Sequence, residues 1–421
     1  MIMEVKKYIK IIKRCRCCNS DKIVRLFSLG DIALSNFSKK CKKFIAPLQL
    51  ILCKNCFLVQ LKHTVDRNLL YKNYWYRSSI NYKMRKELQD IAETAEKLVN
   101  LKKTENVLDI GCNDGTLLSS YKLSKNLYGI DPATNIVKEA KQKGLFVEEG
   151  FFNYEIIKKK FGRIKFKIIT AIAMFYDLDN FNSFLTGVKN LLDKEGVFII
   201  QQNYLPLMLL NNAFDNIVHE HLTYFSFYTL QYLLSNYNLE IFNVIINDIN
   251  GGSFRVYIQH KGGSRRVDSN VNRLQNEEKK FNLDKIITYK YFFKKIKSLA
   301  KEINSFIKRE RSKGKLIYAY GASTRGNTLL QFCNLNHRLI KKAVDKDFYK
   351  WGKKMAGVGI PIISESEARK IKPDYFLVLP WFYKNEIIKR EIDYLKSGGK
   401  LIFPLPNLKI YYYKNKIKTE Y

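Results

Sequence analysis

The stretch FDNIVHEHLTYFSF carries the densest acid–base chemistry in the chain. Two of the protein's five histidines, His219 and His221, flank Glu220 there. Imidazole can take a proton near neutral pH, and an adjacent carboxylate can orient it or raise its basicity. H-E-H lacks the i, i+4 histidine pair of a helical zinc protease. A general base with a supporting acid is therefore expected, rather than a metal site. Sulfur forms a second constellation. Cys15 with Cys18, and Cys53 with Cys56, make two C-x-x-C knuckles that can place four thiolates around a tetrahedral Zn²⁺. Such a shell leaves no open position, so the metal is expected to be structural. Cys17 and Cys41 are spare thiols.

The third constellation is built on glycine. VLDIGCNDGTLL reads as a buried strand, Val107 to Ile110, running into a turn with Gly111 and Gly115, with a helix expected near Thr116. Glycine lets backbone approach a ligand closely, and a helix start offers unpaired N–H groups. One strand later, LYGIDPA puts Asp131 and Pro132 at a strand's carboxyl end, where an acid can hold the ribose hydroxyls of an adenosine. The G-x-x-x-G spacing, with Asp109 before it and Asp131 after it, resembles the S-adenosylmethionine loop of class I methyltransferases. It departs from the G-x-G-x-x-G of dinucleotide sites and from a phosphate-binding G-x-x-x-x-G-K-[ST] loop.

Elements must position these residues. Apolar runs at 106–110, 127–131, 145–148, 167–173 and 196–202 alternate with helical patterns at 115–123, 133–142, 153–160 and 181–194. That alternation predicts an α/β fold with a doubly wound parallel sheet, its ligands lying beyond the strands' carboxyl ends. Met174, Phe175, Tyr176 and Asp177 end the fourth strand and are expected to line the methyl-donor pocket with Asp109, Gly111, Cys112, Asn113, Gly115, Asp131 and Pro132. Asn203 ends the fifth strand at the same rim. Upstream, Tyr74, Tyr76, Ser78 and Ser79 form a polar-aromatic segment before a charged amphipathic helix; they either line a pocket for phosphate or sugar hydroxyls or pack as a connector. Downstream, Arg255 in NGGSFRVY offers a bidentate donor for phosphate or carboxylate. A lysine-rich helical pattern over 268–310 is expected to be a solvated bridge. KLIYAYGASTRGNTLLQF then repeats the strand–glycine turn–helix theme. Its Ser323, Thr324, Arg325 and Asn327 would cradle a diphosphate, the rival reading being a second adenosine site.

A chain of 421 residues exceeds one hydrophobic core. The expected division is 1–70 zinc-binding, 71–248 methyl-donor-binding, and 249–421 a smaller Rossmann-like domain for the acceptor. Formal charge is +35. The lysines are dispersed among apolar residues rather than gathered in one stripe, so a solvated surface or an anionic small substrate is favoured over nucleic acid. No apolar run reaches membrane-spanning length and the start lacks a secretory h-region, so no membrane partner and a cytoplasmic location are expected. Oligomeric state is left open, with a monomer allowed.

Over nearly its whole length the chain resembles the sugar C-methyltransferases of deoxysugar biosynthesis. The stretches that carry the resemblance are CRCC…PLQLILCKNCFLVQL, YWYRSS, VLDIGCNDGTLL, GIDP, FDNIVHEHLTYFS, NGGSFRVY, YGASTRGNTLL and PDYFLVLPW. The resemblance implies a zinc-binding N-terminal domain, a central S-adenosylmethionine domain and a C-terminal domain of the family's own. It implies a nucleotide-linked 4-keto sugar as acceptor and an enolate formed next to the ketone. It further implies His221 as the base beside Glu220, with Tyr76 and the GASTRGN loop near the nucleotide sugar. Two positions depart from the family pattern: Val218, where tyrosine is usual, and AMFYDLDN, where an Asn- and His-containing sequence is usual. The alternatives are an O- or N-methyltransferase on another small metabolite and, further off, a zinc-containing RNA methyltransferase.

Overall fold

A computed structural model describes residues 5–39, 44–72 and 74–421, so Cys41 lies outside the described residues. Three sheets organise the molecule. Near the N-terminus, Ile23–Ala33 pairs antiparallel with Ile45–Cys53, and Val59–Leu61 adds to the latter. The fourth strand of this sheet comes from far along the chain: Thr223–Tyr224, directly after the H-E-H residues, pairs with Val59–Leu61.

The central sheet has seven strands. From edge to edge they are Leu239–Asn247, Ser253–His260, Leu192–Asn203, Phe166–Ile172, Asn106–Ile110, Asn126–Asp131 and Phe146–Glu149. Five consecutive strands run parallel, and Ser253–His260 is reversed. Strand order changes direction between Asn106–Ile110 and Phe166–Ile172, which opens a crevice at their carboxyl ends. The helix Tyr82–Val99 covers one face. Asn81 caps it by accepting from the Met84 N–H, and Met84, Leu88, Ile91, Ala92, Ala95 and Val99 form its buried stripe.

The C-terminal sheet also has seven strands. Ile362–Ile363, Ala343–Val344, Ile317–Tyr320, Tyr375–Val378 and Lys400–Phe403 are parallel, and the hairpin Lys409–Lys414 and Lys416–Glu420 extends one edge. One apolar cluster joins the N-terminal sheet (Leu48, Leu50), the segment around Phe214, the helix residues Tyr289 and Ile303, and the C-terminal strands (Ile317, Leu377).

Two expectations are corrected. No α-helix follows Gly115; a single 3-10 turn, Leu118–Ser120, takes its place. Asn113 and Gly115 adopt left-handed conformations (φ 50° and 74°), and Asp114 accepts from both the N–H and the hydroxyl of Thr116. The chain must re-enter the sheet at Asn126, which leaves room for one turn. The 268–310 pattern is two helices, Ser269–Lys279 and Ile286–Ser312. Left-handed Asn282 (φ 49°) breaks them apart, and Tyr289, Phe292, Ile296 and Ile303 bury one face of the second.

Candidate active site

A cleft of about 890 Å³ runs between the carboxyl ends of the two seven-stranded sheets. Single-ligand pockets span roughly 300–1,000 Å³, so this one is large. It is bordered by both glycine turns, by Glu220 and His221, and by the segment around Tyr74–Ser78.

At the central sheet, the Gly111 N–H donates to Ile130 O (2.8 Å). The Asp131 carboxylate accepts from the N–H groups of Asn113 and Ala133, both at 2.9 Å. Burial raises the Asp131 carboxyl, and lifts that of Asp109 to about 7, where the Thr170 hydroxyl donates to it at 2.7 Å. Asp109, Gly111, Cys112, Asn113, Asp131, Pro132 and Met174 all line the cleft. Gly115 and Phe175 do not. Gly115 shapes the turn, and Phe175 is buried against Phe181, Phe184 and Phe225. Ala173, left-handed at φ 53°, swings Met174 to Asp177 towards the opening.

A strap covers this turn. Asn113 accepts from the Ser78 N–H (3.0 Å) and donates to Tyr76 O (3.1 Å), and Asp114 accepts from the Ser79 N–H (3.0 Å). Asn135 brackets Tyr74 through its N–H and carbonyl (3.0 and 2.9 Å). Arg77, unmarked in the sequence reading, grips Glu139 with two nitrogens (2.8 and 3.0 Å) and lies over the Tyr349 ring at 4.3 Å. Tyr74, Tyr76 and Ser78 line the cleft, whereas Ser79 does not.

The H-E-H residues are held by the N-terminal sheet. Leu61 N donates to Leu222 O (2.8 Å), and the His219 Nε2 lies 3.0 Å from Ala46 O. His219 is thus buried away from the cleft, and burial lowers it to about 4. His221 lines the cleft beside Tyr176, their ring centroids 4.3 Å apart. Its Nδ1 lies 2.9 Å from the Asn216 carbonyl, which fixes the proton on Nδ1 and leaves Nε2 as the lone-pair nitrogen. The side chain of Asn203, at the cleft, donates to that of Asn216. Burial first, then Arg325, lowers His221 to about 3. Glu220, also on the cleft, is pushed up to about 7 by burial. The orientation of His221 thus comes from a main-chain carbonyl, not from Glu220 as expected.

The C-terminal turn repeats the first one. Gly321 N donates to Val344 O (2.7 Å), and Asp345 accepts from the N–H groups of Ala322 (2.7 Å) and Asp347 (2.8 Å). The helix Thr324–Phe332 follows, with Ser323 Oγ accepting from the Gly326 N–H (3.0 Å). Ser323, Thr324 and Arg325 line the cleft with Lys346, Lys350 and Arg390. Two expected donors are committed elsewhere. Arg325 is bidentate to the buried Asp215 (3.0 Å twice), which also takes the Trp381 N–H. Asn327 is buried beside Ser35 and lies outside the lining. Arg255 is also outside it, its guanidinium held by Glu87 (2.7 Å), Asp90 and Gln201 (2.8 Å each). Asp177 lines the cleft as expected of the fourth strand's end, whereas Asp345, Lys346 and Lys350, also on the cleft, were not singled out from sequence. The sequence signal for Asp345 and Lys346 is the stretch AVDK at 343–346, where they follow the short strand Ala343–Val344.

The Sγ atoms of Cys15, Cys18, Cys53 and Cys56 lie within 4.8 Å of one another, with closest pairs at 3.5 and 3.6 Å. A tetrahedral zinc with about 2.3 Å bonds sets its sulfurs roughly 3.8 Å apart, so the four thiols fit the ion. The Thr229 hydroxyl donates to Cys56 O (3.1 Å), tying this knuckle to the central part of the chain.

The strand order, the glycine turn and the acid at the second strand's end define a class I S-adenosylmethionine-dependent methyltransferase. Three family models match in sequence: a putative zinc binding domain over residues 15–71, a methyltransferase domain over 76–244, and a C-methyltransferase C-terminal domain over 248–406. The three matches follow one another along the chain and support S-adenosylmethionine-dependent C-methyl transfer, with S-adenosylmethionine and zinc as cofactors. C-methyltransferase NovU of Streptomyces niveus is 28% identical over 411 residues, covering 96% of this chain and 97% of that one. A methyltransferase structure from Clostridium acetobutylicum is similar at 16% identity and a TM-score of 0.34, covering 44% of this chain and 93% of that one. The YcgJ protein of a Bacillus is similar at 15% and 0.33, covering 42% and 99%. Among the described residues, no helix is long and apolar enough to cross a membrane.

Proposed function

We propose that the acceptor is a nucleotide-linked 4-keto deoxysugar, methylated at the carbon next to its ketone. One observation carries this reading: a single cleft joins the acid-floored turn of the central sheet to the turn of the C-terminal sheet, where Lys346, Lys350 and Arg390 stand among Asp345, Asp347 and Glu365, with Glu220 and His221 on its wall. Asp109, the Gly111–Asn113 turn, Asp131, Pro132 and Met174 would hold S-adenosylmethionine, which supplies an electrophilic methyl on a sulfonium. Ser323, Thr324 and Lys346 would meet the diphosphate, with Tyr74 and Tyr76 along the sugar; Lys350 is held by Ala322 O (2.9 Å) and Asp345 (3.4 Å). Charge complementarity supports that polarity.

A carbon next to a ketone is a weak acid, so its proton needs a base matched to the working pH. Glu220, near 7, fits that role better than His221, near 3. We therefore assign proton removal to Glu220. The bare Nε2 of His221 accepts a hydrogen bond from a neighbouring sugar hydroxyl and orients the ring. Closing the strap over the first turn excludes water from the reacting pair.

The test uses 4-keto-6-deoxyhexoses linked to thymidine, uridine, cytidine or guanosine diphosphate. One of the four should be methylated on carbon and should exchange its neighbouring proton with solvent deuterium when S-adenosylhomocysteine replaces the donor. Methylation on oxygen or nitrogen without exchange would point instead to an O- or N-methyltransferase.

A further inference from the structure

Asp177 ends the 3-10 turn Phe175–Asp177 beyond the fourth strand of the central sheet. The turn is firmly placed: Asp177 N donates to Met174 O (3.0 Å), and the Thr223 hydroxyl donates to Tyr176 O (2.9 Å). Asp177 lines the cleft together with Glu220 and His221. Its Oδ1 is fully buried and has no hydrogen-bond partner. Buried polar atoms are nearly always satisfied, so an orphan on a cleft wall marks the place of an absent partner.

The surroundings define that partner. Tyr71 hydrogen-bonds the Asp177 carboxyl, Tyr74, Tyr176 and Tyr224 lie around it, and Glu220 is the nearby acid. Among the described residues, no lysine or arginine pairs with Asp177. Asp179, two positions on, takes both Arg16 (2.9 Å) and Lys10 (3.5 Å). Burial, and then Glu220, hold the Asp177 carboxyl well above the usual carboxylate range. Two neighbouring carboxyls kept apart in this way can serve as one acid and one base.

We infer that Asp177 is a catalytic residue whose carboxyl O–H donates a hydrogen bond to the acceptor's carbonyl oxygen while Glu220 takes the proton from the adjacent carbon. This assignment rests on the keto-sugar reading above. The C–H bond breaks and its proton passes to the Glu220 carboxylate. The C–H electron pair forms a carbon–carbon double bond, and the carbonyl π pair moves onto oxygen, where the Asp177 O–H holds it. That carbon then bonds the methyl group, and the methyl–sulfur pair stays on sulfur. The carbonyl re-forms, Asp177 keeps its hydrogen, and Glu220 loses the new proton to solvent. Nothing is oxidised or reduced.

The experiment compares wild type with Asp177→Ala and Asp177→Asn on the nucleotide-linked keto sugars. It reads deuterium exchange with S-adenosylhomocysteine bound, methyl transfer, and S-adenosylhomocysteine affinity by calorimetry. Removing an oxyanion donor typically costs about 10²–10³-fold in rate. Asp177→Ala should lower exchange and kcat by about 100-fold, with donor affinity within about 3-fold as the check on folding. Asp177→Asn, whose amide still donates, should recover part of the loss. Exchange in wild type that Asp177→Ala leaves within about 3-fold overturns the assignment alone. A wild type that exchanges no proton with any of the sugars overturns the keto-sugar reading, and the assignment with it.

Discussion

The two glycine turns use the same hydrogen bonds to opposite ends. In each, a glycine after the first strand donates to the second strand, and an aspartate there ties the turn by accepting two N–H groups. Beyond the turns the chain takes different paths. After Gly111 there is only a 3-10 turn, and a strap is bound on top; after Gly321 a capped helix runs away from the cleft. Charge differs too. Asp109 and Asp131 floor the first turn, whereas the second mixes Asp345 with Lys346, Lys350 and Arg390, of which Lys350 pairs with Asp345 and Arg390 with Glu365. On the reading proposed above, one backbone solution would seat a cationic sulfonium donor at one end and an anionic nucleotide at the other, according to the side chains around it. Fold alone would not have distinguished them.

The comparison is sharpened most by the group between the two ends. Glu220→Gln should cut methyl transfer by about 10²–10⁴-fold with both ligands still binding, as removal of a general base does. In wild type, kcat/KM should rise with pH through about 7 as Glu220 ionises to its basic form. His221, near 3, adds no limb above pH 5, and the rise should vanish in Glu220→Gln. Stripping zinc with a chelator, or Cys53→Ser, should lower methyl transfer by at least about 10-fold, because loss of the metal loosens the sheet that carries Thr223–Tyr224. S-adenosylhomocysteine titrations should change far less, since the first turn belongs to another sheet. Next, Asp131→Asn should weaken S-adenosylhomocysteine by about 10–100-fold, the worth of a charged hydrogen bond, and Asp345→Asn should leave it unchanged. The reverse result would exchange the two seats. Smallest, Lys346→Ala should raise the acceptor's KM by about 3–10-fold and flatten its salt dependence, with donor KM unmoved.

Local signals made much of this legible. Strands and helices of the central sheet follow the apolar periodicity, and the cysteine knuckles announce their own pairing. The missing helix at Thr116 was hidden because Asn113 and Gly115 turn the chain on dihedrals that periodicity does not encode. Arg255 and Arg325 look like free anion donors in sequence. In space they are bound to Glu87, Asp90 and Asp215, partners far off in the chain. Asp177 was legible only as part of a strand end; its unpartnered Oδ1 near Glu220 shows only in space. Arg77 acquires its role only where Glu139 and Tyr349 converge.

The strap from Tyr74 to Ser79 carries a kinetic consequence. Its tethers to Asn113, Asp114, Asn135 and Glu139 hold it over the turn proposed to seat the donor. Each cycle that lifts this peptide must break and remake them, so turnover can be throttled by a latch remote from the reacting atoms. Loosening Asn135 would then quicken product escape while leaving single-turnover chemistry as it was.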